Sequence, residues 1–130
     1  MAFRRKIPIT IFIVVGFDAI ASVLSRSFQF DYTRLIWVSL LIYFAVGYWG
    51  AHRRGVRYGM LLGALAGLAD STIGWAISRM IGPFIETATP PLDPTVILTV
   101  VVTVTMTGFV LGLIGAGLCK VFGQTKLLAA

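Results

Sequence analysis

The sequence predicts an all-α, polytopic membrane protein: a single domain, residues 1–130, built as a four-helix bundle from two similar hairpins. Three observations predict it. The chain is 58% hydrophobic and only 12% charged, with a mean hydropathy of +0.92, whereas a soluble domain carries about 25% charged residues. Its apolar residues fall into runs long enough to cross a hydrocarbon core of about 30 Å at 1.5 Å per residue. Its basic residues collect at the ends of those runs, where they set topology, and form no separate basic domain of the kind that binds nucleic acid.

The first span is read at 7–24. Arg4, Arg5 and Lys6 precede it, and Pro8 falls in its first turn, where a missing N–H costs little. A basic start followed by an apolar run also describes a signal peptide. The run continues through Asp18 with no A-x-A site after it, so it is read as a retained helix. The link that follows carries Phe28, Phe30 and Tyr32, rings suited to a membrane interface. The second span is read at 35–51. His52, Arg53, Arg54, Gly55 and Arg57 make a tight basic turn into the third span, 58–81. Gly82-Pro83 ends that span, and Pro90, Pro91 and Pro94 keep the next loop non-helical. The fourth span is read at 95–119. Its valines and threonines would suit a strand, but an uncharged run of 25 residues is too long for one and right for a tilted membrane helix.

Four spans return both termini to one side. That side holds Arg4, Arg5, Lys6, Arg53, Arg54, Arg57, Lys120 and Lys126 with no acidic residue, against Arg26, Arg34, Arg79, Asp31, Glu86 and Asp93 on the other. The asymmetry predicts one orientation, both termini cytoplasmic, in a bacterial inner membrane.

The halves resemble each other. Gly16-Phe17-Asp18 is followed by Ser25-Arg26, and Gly67-Leu68-Ala69-Asp70 by Ser78-Arg79. Phe44–Ala51 and Phe109–Ala116 both read F-x-x-G-x-x-G-A. The order suggests a duplicated hairpin whose halves share one orientation, related by an axis along the membrane normal. Asp18 lies twelve residues after Lys6 and Asp70 thirteen after Arg57, which puts both carboxyls roughly 18–20 Å from the cytoplasmic charges, near mid-membrane.

An ionised carboxylate there costs about 2.5–3.5 kcal/mol on insertion scales. Asp18 and Asp70 are therefore read either as a proton- or cation-binding pair or as polar groups satisfied by Ser22, Ser71, Thr72 or threonines of the fourth span. Arg26 and Arg79 are eight or nine residues from the aspartates, so they are expected to reach the outer interface or, alternatively, to pair across helices, Arg79 with Asp18. Gly59, Gly63, Gly67 and Ser71 recur every fourth residue, and Gly47 with Gly50 and Gly112 with Gly115 mark further faces. Such rows let helices approach closely, within the bundle or between subunits. Thr95, Thr99, Thr103 and Thr107 form a stripe that either lines a polar path or bonds its own helix carbonyls. Arg53, Arg54 and Arg57 could contact anionic lipid heads. A single cysteine, Cys119, and a single histidine, His52, leave no metal or haem ligand set. No nucleophile–base pair or phosphate loop is present, so neither enzyme activity nor a cofactor is expected.

GYWGAHRRG (Gly47–Gly55) followed by GxLxGLxD (Gly63–Asp70) resembles small, uncharacterised four-span bacterial membrane proteins, over about a fifth of the chain. The resemblance implies the four-span fold and carries over no function. The first reading of function is a non-catalytic module that packs in the bilayer as a homo-oligomer, a dimer, or against a larger membrane partner. The alternative is a proton- or cation-coupled transporter or channel subunit using Asp18 and Asp70.

Overall fold

The computed structural model describes residues 2–86 and 93–128, with side chains for all of these except 2–5, 53 and 124–128. The predicted roles of Arg53, Arg4, Arg5 and Lys126 therefore lie outside the described side chains, as do Pro90 and Pro91 of the proline-rich loop. Every regular element is helical among the described residues. In order they are α1 (Ala2–Phe28), a 3₁₀ turn (Tyr32–Leu35), α2 (Ile36–Arg54), α3 (Val56–Ala69), a π-turn (Asp70–Gly74), α4 (Trp75–Ile81) and α5 (Pro94–Leu128). Four stretches are long and apolar enough to cross a membrane: Lys6–Phe28, Tyr32–His52, Val56–Ile81 and Pro94–Gly123. Large apolar side chains cover the outside; Phe12 and Trp37 are 79% and 72% exposed.

Each helix end has a local cause. α1 begins earlier than expected, so Pro8 lies inside it and not in its first turn. A proline this near the start removes hydrogen bonds only from the frayed beginning of the helix. α1 stops where Gln29 takes φ +54°. The basic turn after α2 is a single glycine: Gly55 sits at φ +84°, and its N–H closes on Ala51 O at 3.0 Å. Gly82, at φ +69°, ends α4 with its N–H on Ser78 O. α5 opens with Asp93, whose Oδ1 accepts the Thr95 N–H at 2.7 Å, followed by Pro94 at the first helical position. That backbone hydrogen bond holds the exposed Asp93 carboxyl below its ordinary range.

The third helix is not one continuous α-helix. Ser71 Oγ donates to the carbonyls of Gly67 and Leu68 (2.8 and 3.2 Å), and Thr72 Oγ1 donates to Leu68 at 2.6 Å. Neighbouring hydroxyls that take up ladder carbonyls loosen the regular repeat, and here one turn widens, with the Trp75 N–H reaching Asp70 O.

The tight core is made by α2, α3 and α5, and it is built on glycine. A Cβ on Gly47 would meet the Gly112 backbone, one on Gly63 the Gly108 and Gly112 backbones, and one on Gly67 the Val104 backbone. Gly50 faces Gly59, Gly59 also faces Ala116, and Gly115 faces Phe44 and Tyr48. Val14, Tyr43, Val46, Tyr58, Leu62 and Ala66 fill the space beside these contacts. α1 packs differently. It leans on α3, the π-turn and α4, and barely touches α2. The first hairpin is therefore splayed where the second is closed.

At one end of the bundle Lys6 Nζ lies 4.3 Å from the centre of the Trp49 ring and donates to Trp49 O at 2.9 Å. At the other end the link after α1 is tied to the chain after α4. Tyr32 N–H meets Phe84 O at 3.0 Å, Ser25 Oγ donates to Phe30 O and Phe84 O, and Arg26 Nη1 caps the end of α4 at Ile81 O, 2.6 Å away.

Candidate functional site

Beneath that tied end, α1 and the π-turn bring Asp18 and Asp70 together. Their meeting point is Gly74. A Cβ there would collide with Asp18 Oδ2 and would lie 3.4 Å from Asp70 Oδ1. Because Gly74 has no side chain, both carboxyls occupy the space over its Cα. Asp18 is almost wholly buried, 1% exposed, and Asp70 is half-buried.

Two phenols from the α2 side serve the pair, one on each carboxyl. Tyr32, first residue of the 3₁₀ turn, donates to Asp18 Oδ1 at 3.2 Å. Tyr43, buried in the middle of α2, donates to Asp70 Oδ2. The Tyr32 hydroxyl also lies 3.2 Å from Ser78 Oγ, which accepts from Ser22 Oγ at 2.9 Å. A connected polar seam thus runs Ser22–Ser78–Tyr32–Asp18 between α1, α4 and the 3₁₀ turn. Among the described residues, Asp18 Oδ2 is buried and receives no hydrogen bond from a hydroxyl or N–H; its polar neighbour is the Asp70 carboxyl. A carboxylate oxygen in that state carries a desolvation cost unless positive charge or a proton joins it.

Two cavities flank the seam, and Tyr32 forms part of the wall of both. One, of about 330 Å³, lies between α2 and α5 with Asp70 and Tyr43 at its inner side. The other, of about 400 Å³, lies beside Trp75, Ser78, Arg79 and Pro83. Among the described residues no basic side chain lines the first cavity.

The structure thus unites the two aspartates singled out from the sequence and corrects what surrounds them. The expected partners Ser71 and Thr72 bond their own helix, and Ser22 bonds Ser78. Tyrosine hydroxyls take their place because they reach across from α2 and from the 3₁₀ turn before it, which short side chains cannot. Arg79 does not pair with Asp18; its guanidinium lies 4.8 Å from the centre of the Trp75 ring, while Arg26 is spent on Ile81. Of the threonine stripe, Thr99 and Thr107 bond the carbonyls of Thr95 and Thr103 (2.8 and 2.9 Å). Thr103 and Thr107 nonetheless line the first cavity. Arg54 lies over the Tyr58 ring at 5.6 Å, and Arg57 is exposed.

Tyr32, Tyr43, Gly74 and Ser78 were not singled out for the site. One signal was present for Tyr43: a phenol in the middle of an apolar run needs a hydrogen-bond partner when buried. Compared with known proteins, the chain matches no family model, no curated protein and no solved structure.

Proposed function

We propose that this chain is a small integral membrane protein that binds a proton or a monovalent cation on Asp18 and Asp70 near mid-membrane, as a transporter or channel subunit. The observation that carries the reading is the convergence of both carboxyls over Gly74 with, among the described residues, no basic side chain bonded to either and one oxygen, Asp18 Oδ2, that no tyrosine, serine or backbone N–H reaches. Two facing carboxyls in a region of low polarity demand compensating positive charge. Two carboxyls and two phenols supply six oxygens, the bottom of the six-to-eight range that calcium takes, and four of the six are engaged in the Tyr32–Asp18 and Tyr43–Asp70 hydrogen bonds, so a proton or a singly charged ion suits them better than a divalent metal.

The packing-module reading has less support. The glycine rows that would receive a partner helix are turned toward α2, α3 and α5 themselves, which leaves them no open face. The inner-membrane setting with cytoplasmic termini continues to rest on the distribution of basic residues. A duplicated origin is supported by the meeting of equivalent residues, Asp18 with Asp70 and Gly47 with Gly112. The splayed position of α1 departs from that symmetry.

The test is flux in liposomes. Reconstituted protein should dissipate a proton or monovalent-cation gradient, and Asp18→Asn and Asp70→Asn should each abolish the effect. Flux that survives in the double variant, or a properly folded wild-type protein that moves no ion, refutes the proposal.

A further inference from the structure

The cleft between α2 and α5 differs in character from the seam beside it. Its apolar walls are Leu35, Ile36, Leu40 and Val104; Asp70, Tyr43 and Tyr32 line it too, and Ser39 and three threonines add hydroxyls. Ile36 and Thr103, on opposite walls, are exposed, so the cleft opens between the two helices at the flank of the bundle. At about 330 Å³ it falls at the small end of the range for organic-ligand sites, roughly 300–1,000 Å³.

From this cleft we infer a substrate class: an apolar organic monocation, such as an alkyl- or aryl-ammonium, with its charged head on Asp70 between Tyr32 and Tyr43 and its body along the apolar walls. The inference rests on the reading of Asp18 and Asp70 as a cation site and narrows it. Charge selects the sign, since one carboxyl lines the cleft, a second stands behind it at Gly74, and no Lys, Arg or His of the described residues is in the wall. Aromatic faces add attraction for a cation of low hydration. The mostly apolar surface of the lining selects against other ligands. Of its polar groups, the Thr107 hydroxyl is spent on Thr103 O, the Tyr43 hydroxyl on Asp70 and the Tyr32 hydroxyl on Asp18 and Ser78, which leaves the hydroxyls of Thr33, Ser39 and Thr103. A polyol or sugar would leave most of its hydroxyls unpaired against Leu and Val. A bare alkali ion would exchange its water shell for a wall that is mostly hydrocarbon, whereas an alkylated ammonium brings its own apolar coat. The opening at the flank suits a molecule that reaches the site from the bilayer.

The experiment is equilibrium binding of radiolabelled benzyltrimethylammonium to the full chain in lipid nanodiscs, with empty nanodiscs as baseline and neopentylbenzene as the neutral isostere. The expected result is saturable binding of the cation, no saturable binding of the neutral compound, and at least tenfold weaker cation binding in Asp70→Asn. Thr103→Trp, which fills the mouth of the cleft from an exposed position, should weaken binding as strongly, and its helical circular dichroism and elution volume report whether it folds. Equal binding of the neutral compound, or full affinity in folded Thr103→Trp, overturns the inference. If the wild-type protein moves protons or alkali ions in an Asp70-dependent way but takes up no benzyltrimethylammonium, the organic-cation inference falls alone. If it does neither, the ion site falls with it.

Discussion

Gly74→Ala separates the two aspartates without altering any polar residue. The backbone at Gly74 is ordinary right-handed helix, φ −60° and ψ −49°, so alanine is not strained there and gains about 0.5–1 kcal/mol of helix propensity over glycine. Its methyl, however, would stand 2.8 Å from Asp18 Cγ. Carbon atoms settle at about 3.5–4.0 Å, so the Asp18 carboxyl must retreat by about 1 Å. Asp70 Oδ1, at 3.4 Å, keeps an ordinary contact and stays. Retreat takes Asp18 Oδ1 from Tyr32 and costs about 0.5–1.5 kcal/mol for the hydrogen bond and a similar amount for an off-rotamer side chain. Against the propensity gain, the net destabilisation comes to about 0–2.5 kcal/mol, centred near 1 kcal/mol, read as a lowered midpoint of unfolding in sodium dodecyl sulfate, with cation binding and flux reduced at least tenfold. Gly16→Ala is the control. Its added Cβ has nothing within 4 Å, so only the propensity gain remains and stability should rise slightly. Gly74→Ala protein with wild-type stability and wild-type flux would refute the claim that the missing side chain makes room for the carboxyl pair.

Three further outcomes follow from the geometry. Gly63→Ala places a Cβ 2.6 Å from Gly112 Cα, against backbone that cannot rotate away; overpacking of this kind costs about 1–3 kcal/mol, and an unfolding midpoint equal to that of wild type would contradict it. Tyr43→Phe removes the donor to Asp70 Oδ2 and should destabilise the fold by about 1–3 kcal/mol, the cost of a lost partner for a carboxylate; an unchanged midpoint would show that this contact is not formed. Asp93→Ala should speed hydrogen exchange at the Thr95 amide, which donates to the Asp93 carboxyl. Because that carboxyl is lowered in the folded chain, its contribution is present above the ordinary carboxylate range, near 3.8, and is lost as pH falls through the lower folded value. Thr95 protection should therefore persist at pH 5 and fall only in stronger acid, and loss of protection already at pH 5 would contradict the assignment.

The helices were legible because apolar runs and their breakers are local. Gly55 and Gly82-Pro83 mark turns that the structure keeps, and the long apolar helices fall where the hydropathy runs do. The aspartates were legible because a carboxyl in an apolar run has few inexpensive explanations. The partners were not. Tyr32 sits in a link, where its ring reads as an interface anchor, and nothing local marks Phe84 as its neighbour; only the fold joins the two links, through a backbone hydrogen bond. Glycine rows announce that helices approach closely but not which ones, so the three-helix core and the outlying position of α1 could not be read from them. The π-turn was hidden for a similar reason. Ser71 and Thr72 suggested hydroxyls aimed at Asp70, whereas they bond the preceding carbonyls.

The π-turn decides where the third helix tolerates a change in residue number. Before it, Gly59, Gly63 and Gly67 run along α5; after it, Ser78 meets Ser22 of α1. The widened turn at Asp70–Gly74 takes one residue more than an α-helix needs to sweep the same angle, so deleting one residue there would restore a regular helix and leave both flanks facing their present partners. The loss would be local, at the turn that carries Asp70 and Gly74 to Asp18. A residue deleted from the regular helix between Gly59 and Gly67 would instead rotate one flank against the other by about 100°, setting the glycines or Ser78 off their neighbours. Substitutions in this helix are judged by size and polarity, but an indel is judged by whether it falls inside the widened turn or beside it.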